Sequence, residues 1–361
     1  MKPIRSVIKP KLWLGLWPLG YIYGGIMAIR NWLFDHGILP QEHFPVPIIS
    51  VGNLAVGGTG KTPHTEALAT HLSRQFAVAI LSRGYGRRTK GYRSVQPTDT
   101  ADLVGDEPLQ MCRKSVAQTV AVCEDRRKGI RQLLSIDNPP DVILLDDGFQ
   151  HRYAYRNIDI LLTDFRRLYP LDKPLPTGRL REYKSGAQRA QIIIVTKCPA
   201  DLTESQATEI RELLQPTDNQ HVFFSTLTYP APYLIGQPDT TLPADVADVL
   251  LFSGIANPAT LQEHFGGQPY RIRTLRFADH HAYTTADLQQ IQTAFDALPA
   301  GPSVAITTEK DAVRIEQLHT LSPALQERLY VQPVRVEFLF GGEVALLQIL
   351  QKSIMEFSHN S

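Results

Sequence analysis

The sequence predicts an α/β protein built as two successive units, a mainly parallel sheet wrapped by helices and then a smaller α/β unit. Three observations carry this. Short apolar or β-branched runs alternate with helical patterns over much of the chain. One such run enters a glycine-rich turn, Val51-Gly52-Asn53-Leu54-Ala55-Val56-Gly57-Gly58-Thr59-Gly60-Lys61-Thr62, of the kind that opens a helix. A stretch rich in Pro and Thr, residues 229–245, interrupts the alternation before it resumes.

A chain of 361 residues exceeds one typical core, and its hydrophobic and charged fractions, 43% and 20%, are ordinary for a globular protein. With 37 basic against 36 acidic residues there is no footprint of general nucleic-acid binding. Neither a nucleic acid nor an obligate protein partner is expected. Cys112, Cys123 and Cys198 form no C-x-x-C pair, which fits a reducing compartment and argues against a cysteine-based zinc site.

The elements follow in order. Lys2, Arg5, Lys9 and Lys11 precede an uncharged run from Leu12 to Ile29. The run sits at the lower limit for spanning a bilayer, and Gly15, Pro18, Gly20, Gly24 and Gly25 weaken a straight span. Trp13, Trp17, Tyr21, Tyr23 and Trp32 are the amphipathic aromatics that favour a membrane interface. A helix on or shallowly in the membrane surface is expected, with a buried helix and a true span as the alternatives. Strands are predicted at 47–51, 77–81, 119–122, 142–145, 158–162 and 192–196, with helices at 63–73 and 126–134. Beyond the linker, strands are predicted at 249–253, 304–308 and 329–338, and helices at 285–297 and 344–355. The divisions are 1–36 (N-terminal helix), 37–228 (nucleotide-binding unit), 229–245 (linker) and 246–361 (second unit).

Chemistry is concentrated at a few points. The turn ending in Gly60-Lys61-Thr62 nearly meets the G-x-x-x-x-G-K-[ST] pattern, with Ala55 at its first position. Val56, Gly57, Gly58, Thr59 and Gly60 supply backbone amides that cradle phosphates. Lys61 reaches the β- and γ-phosphates, and the Thr62 hydroxyl sits on Mg²⁺. The strand at 142–145 ends in Asp146-Asp147, where an enzyme with such a loop places its Mg²⁺-binding acid. A nucleoside triphosphate with Mg²⁺ is therefore expected. Gly105-Asp106-Glu107-Pro108 reads first as a helix start, and Asp106 is also a loop carboxylate able to serve as a base. The loop carrying Arg83, Arg87, Arg88, Lys90 and Arg93 is either a solvated turn or a phosphate clamp. Gly178-Arg179-Leu180-Arg181-Glu182 and Asp279-His280-His281 are weaker clusters.

In this order the motifs resemble the tetraacyldisaccharide 4′-kinase family, the lipid A 4′-kinases of Gram-negative bacteria. The resemblance spans nearly the whole chain and adds Asp146-Asp147-Gly148-Phe149-Gln150-His151, Leu180-Arg181-Glu182, Gly254-Ile255-Ala256-Asn257-Pro258, Asp279-His280 and Thr308-Glu309-Lys310-Asp311. It implies two α/β/α sandwich domains, the first like a P-loop NTPase, joined by a two-stranded linker. It implies transfer of the γ-phosphoryl of ATP to the 4′-hydroxyl of a tetraacylated disaccharide 1-phosphate at the cytoplasmic face of the inner membrane. It further implies that Asp106 and His280 form the catalytic pair beside Lys61. The expected metal residues are Thr62, Asp146, Asp147 and Glu182; those expected to meet substrate are Arg83, Gln150 and Arg181. The family pattern after Arg181-Glu182 usually continues with Pro, where this chain has Tyr183.

Two other classes compete. One is a P-loop switch that transfers nothing; Thr196-Lys197 suits base reading in such proteins, but Pro199 stands where an Asp is needed. The other is a soluble small-molecule kinase, which the aromatic N-terminal helix disfavours.

Overall fold

The computed structural model describes residues 15, 17–255, 258–279, 281–299, 301–318 and 321–360. Helix α1 (Trp17–Asp35) leads into β1 (Ile48–Asn53), α2 (Lys61–Leu72), β2 (Val78–Ser82) and β3 (Arg93–Ser94). Helices α3 (Ala101–Val104) and α4 (Asp106–Arg113) precede β4 (Thr119–Val122), α5 (Arg126–Leu134), β5 (Val142–Asp146), β6 (Ile158–Asp164) and β7 (Ile192–Thr196). Next come α6 (Glu204–Leu214), β8 (His221–Thr228), β9 (Tyr233–Leu234), β10 (Gln237–Thr241) and β11 (Asp248–Ser253). The chain closes with α7 (Ala259–Gly266), β12 (Arg271–Arg276), α8 (Thr285–Asp296), β13 (Ser303–Thr308), α9 (Glu309–Ile315), α10 (Pro323–Gln326), β14 (Leu329–Gln332), β15 (Arg335–Phe338) and α11 (Gly342–Asn360).

Among the described residues, two parallel-rich sheets result. One has nine strands in the order β15-β8-β7-β6-β1-β5-β2-β4-β3, the other six in the order β10-β9-β14-β13-β11-β12. The central strands of the first are buried at every position, because helices cover both faces, so they read as unbroken apolar runs. On one face Ile49, Val51, Ile80 and Leu144 pack with Leu68 and Leu72 of α2. On the other, Ile48, Leu81, Ile143 and Leu145 pack with Ile130 and Leu133 of α5.

Strand register positions the chemistry. β1 and β5 are parallel neighbours with Val51 opposite Asp146, so the turn after β1 and the acid pair share one sheet edge. Gly52 is needed there, since a Cβ would lie 2.6 Å from that of Phe149.

The C-terminal part departs from the sequence expectation. The run 329–338, read as one strand, is two strands in different sheets: β14 lies parallel to β13, whereas β15 runs antiparallel to β8 in the first sheet. Pro333 separates them, having no N–H for the ladder. Residues 335–360 therefore return to the first sheet, where Leu346, Leu350 and Ile354 of α11 join its core. The 229–245 stretch is not wholly irregular either: β9 and β10 form a hairpin on the edge of the second sheet.

Helix α1 docks through its small residues. A Cβ on Gly20 would meet Thr177 Oγ1 at 2.5 Å, and one on Gly24 would meet the Tyr183 ring at 2.6 Å. Leu19, Tyr21, Ile22, Ile26, Ile29 and Trp32 remain exposed. No helix among the described residues is long and apolar enough to cross a membrane.

Candidate active site

The glycine-rich turn connects β1 to α2 and is braced on both sides. Val56 N donates to Arg179 O at 2.8 Å, and Arg181 N donates to Leu54 O at 2.6 Å. Asn53 Nδ2 donates to Thr59 Oγ1 at 2.7 Å. Gly60 caps α2 in the left-handed region (φ 88), which a side chain would resist. The first turn of α2, with Lys61 and Thr62, thus faces the edge where anions are favoured.

The acid pair divides its environments. Asp146 is buried, accepting from Ser82 Oγ at 3.0 Å and from Thr65 Oγ1 at 3.4 Å. Burial, with Glu107 and Asp147 beside it, pushes Asp146 up to about 6. Asp147 turns the chain with φ 51 and meets Lys61 Nζ at 3.8 Å and Arg181 Nη1 at 3.0 Å. Burial opposes its ionisation, but Lys61 and Arg181 outweigh that and hold it below the usual carboxylate range.

Asp106 starts α4 and forms an ion pair with Arg314 of α9. Next to it Glu107 pairs with Lys310 at 3.3 Å. Further along, Arg113 meets Glu316 at 2.7 Å and Lys114 meets Glu309 at 3.0 Å. The helix carrying the base candidate is therefore fastened to the second sheet's unit by a row of charges. Burial alone would lower Arg314; Asp106 and Asp311 more than offset it. His280 lies outside the described residues. His281 is engaged in place, 3.0 Å from Asp287 and stacked on Phe277 with centroids 4.9 Å apart.

The remaining sequence candidates divide. Arg181 reaches the acid pair, as above. Arg83 is exposed, and it acts on His151 together with Arg126 and Arg30: burial, then these cations, push His151 down to about 4. Glu182, expected at the metal, is engaged by other groups. Its carboxylate accepts from Arg189 at 2.8 Å, Asn31 of α1 at 2.6 Å and Gln150 at 3.0 Å, and burial leaves it 1% exposed. Gln150, expected to meet substrate, spends its amide inward, donating to Asn53 O at 2.9 Å as well as to Glu182. Thr65, Arg126 and Arg314 carry no local sign of a role, whereas Ser82 opens the basic loop motif just before Arg83.

Asp146, Asp147 and the hydroxyls of Thr65 and Ser82 form a set of hard oxygens with crowded negative charge. That set fits Mg²⁺, which takes one or two carboxylates and completes its shell with phosphates and water. Among the described residues no group of three or more His, Cys, Asp or Glu could hold a metal without such help.

Residues 12–355 match the family described as tetraacyldisaccharide-1-P 4′-kinase, LpxK. A Bacteroides thetaiotaomicron protein named tetraacyldisaccharide 4′-kinase is 43% identical, over 98% of this chain and 96% of its own. A Flavobacterium johnsoniae protein of the same name is 40% identical over 94% and 97%. The crystal structure of LpxK from Aquifex aeolicus in complex with ATP superimposes with a TM-score of 0.73, at 28% identity, covering 94% of this chain and 98% of that one.

Proposed function

The chain belongs to the tetraacyldisaccharide-1-P 4′-kinase family, and from that premise and the geometry of the site we propose how its residues perform the reaction. It is an ATP-dependent kinase that transfers the γ-phosphoryl group to the 4′-hydroxyl of a tetraacyldisaccharide 1-phosphate. The observation that carries the residue assignment is the convergence of Lys61, Asp146 and Asp147 at one sheet edge, with Glu107 near enough to act on Asp146.

Lys61 and the amides of residues 56–62 hold the β- and γ-phosphates, exchanging the Lys61–Asp147 pair for phosphate oxygens. Asp146 and Thr62, with Asp147 beside them, would hold Mg²⁺, which supplies neutralisation of charge on the transferred group. Glu182 is left out of that set because Arg189, Asn31 and Gln150 occupy it. Asp106, ion-paired with Arg314, takes the proton of the 4′-hydroxyl, and His280 acts with it. Arg83 and Arg30, whose charges act on His151, supply positive charge for the anionic acceptor. Such a reaction is mostly positioning and charge neutralisation.

An acylated acceptor stays in a bilayer, so the enzyme must reach it. The exposed stripe Leu19, Ile22, Ile26, Ile29 and Trp32 on α1 supports seating at the cytoplasmic surface of the inner membrane, where ATP is available. The deciding assay is transfer of radiolabel from γ-labelled ATP to the lipid disaccharide 1-phosphate. Asp106→Ala is expected to lose about 10²–10⁴-fold in kcat. Wild-type turnover by that variant would remove Asp106 from the mechanism.

A further inference from the structure

Thr196-Lys197 at the end of β7 and the buried His64 of α2 take no part in the chemistry above, yet they meet at one place. Lys197 Nζ donates to the carbonyl of Gly58. Thr196 Oγ1 donates to the carbonyl of Thr59 at 2.8 Å. His64 Nδ1 lies 2.6 Å from the carbonyl of Gly60. Three successive carbonyls of the glycine-rich turn are thus each held by a side chain.

The proton positions follow from the partners. A carbonyl oxygen only accepts, so His64 Nδ1 carries the proton; Nε2 then accepts from the Ser225 hydroxyl, 2.8 Å away. The ring is 0% exposed, and burial pushes His64 down to about 4, so it stays neutral at working pH. It stands edge-on to Phe338 of β15, with centroids 6.3 Å apart, which fixes its plane. Lys197 is steadied in turn by Asp164 at 3.1 Å.

A peptide unit is planar and trans, so holding its oxygen also aims the N–H at its other end. The carbonyls of Thr59 and Gly60 share peptide units with the N–H groups of Gly60 and Lys61, the amides that open α2. Gly60 at φ 88 is the one residue here whose backbone is free to swing those planes. We propose that His64 and Thr196 are positioning residues for the nucleotide: by holding the Gly60 and Thr59 carbonyls they aim two amides at the phosphates of ATP. Thr196-Lys197 then serves the phosphate end of the nucleotide through the loop, rather than its base. This rests on the kinase reading only in requiring that the protein bind ATP.

The test compares His64→Phe, His64→Asn and Thr196→Val in the full chain, by calorimetry with a non-hydrolysable ATP analogue and Mg²⁺, steady-state kinetics and Tm. Phe keeps the packing and loses the donor; Asn places an amide nitrogen near the position of Nδ1; Val keeps the shape of Thr. His64→Phe and Thr196→Val are each expected to weaken analogue binding and raise KM for ATP about tenfold. kcat at saturating ATP should change by less than about threefold, with KM for the lipid unmoved, and His64→Asn should recover most of the loss. Unchanged analogue binding in His64→Phe and Thr196→Val overturns the proposal. So does a fall in Tm for both His64 variants while Thr196→Val binds normally, which would make His64 a packing residue. A wild-type protein that binds no analogue would sink the kinase reading itself.

Discussion

Arg314, on the helix after β13, forms an ion pair with Asp106, the residue that opens α4 in the other sheet's unit. The base candidate is thereby held by a cation from outside its own sheet. With side chains 7% and 13% exposed, the pair is shielded from solvent and its loss is consequential. Arg314→Met should lower kcat by about 10–100-fold while leaving binding of an ATP analogue within about twofold, because the glycine-rich turn does not touch it. Rapid-quench measurement of the transfer step, alongside calorimetry, separates the two. Unaltered turnover in a variant of normal Tm would mean that Asp106 needs no such partner.

Asp146 gives the reaction a pH dependence whose sign is fixed by its burial. Its ordinary value is 3.8 and the folded, metal-free protein raises it to about 6. A raised carboxyl binds a proton more tightly when folded, so its stabilising contribution is complete below about 3.8 and is lost as pH rises through about 6. Mg²⁺ competes with that proton, and its affinity should fall up to about tenfold per unit below pH 6 and level off above it. Asp146→Asn is expected to raise the Tm of the metal-free protein at pH 7.5 by about 2–5 °C and to abolish transfer. Lower metal-free Tm in that variant would show that the carboxylate is not strained there.

The Asp106–Arg314 pair and the surroundings of Asp146 are legible in the sequence to different degrees. The turn at 52–62 and the strand before Asp146 announce themselves locally, by glycine spacing and by apolar runs buried on both faces. Their adjacency follows from the parallel sheet. The Asp106–Arg314 pair joins residues far apart in sequence and leaves no local trace. Glu182 is opaque for the same reason: a carboxylate between arginines in a loop looks like a ligand, and its contacts with Arg189 and Asn31 leave no local sign. The run 329–338 has unbroken strand character apart from Pro333, and only pairing reveals that its halves serve different sheets.

The exposed stripe on α1 predicts membrane attachment that is separable from catalysis. Ile22 and Ile26 are each 62% exposed and sit one turn apart. Ile22→Glu combined with Ile26→Glu should move the protein from the vesicle pellet to the supernatant in co-sedimentation with anionic vesicles. Removing two buried isoleucines from an interface is worth about 3–6 kcal/mol at most, enough for a large shift in partitioning. Analogue binding should be unchanged. Full vesicle recovery of the double variant would point to some other surface.

Glu182 supplies the last prediction, because a metal ligand and a structural anchor fail differently. Its two oxygens accept from Arg189 at 2.8 and 3.0 Å, and the Arg189 guanidinium lies 4.6 Å above the Phe149 ring. Burial opposes the charge on Glu182, but Arg189 outweighs it and keeps the carboxyl below its ordinary range. Removing the carboxylate alone strands a cation whose side chain is only 15% exposed and frees Asn31 of α1, a loss of about 3 kcal/mol. Glu182→Ala should therefore drop Tm by several degrees, while the Mg²⁺ dependence of transfer, measured at a temperature where the variant is folded, keeps its midpoint within about twofold. Glu182→Leu combined with Arg189→Met, which removes both charges and keeps the volume, should recover much of the Tm. A shifted Mg²⁺ midpoint in a variant of normal Tm would instead return Glu182 to the metal.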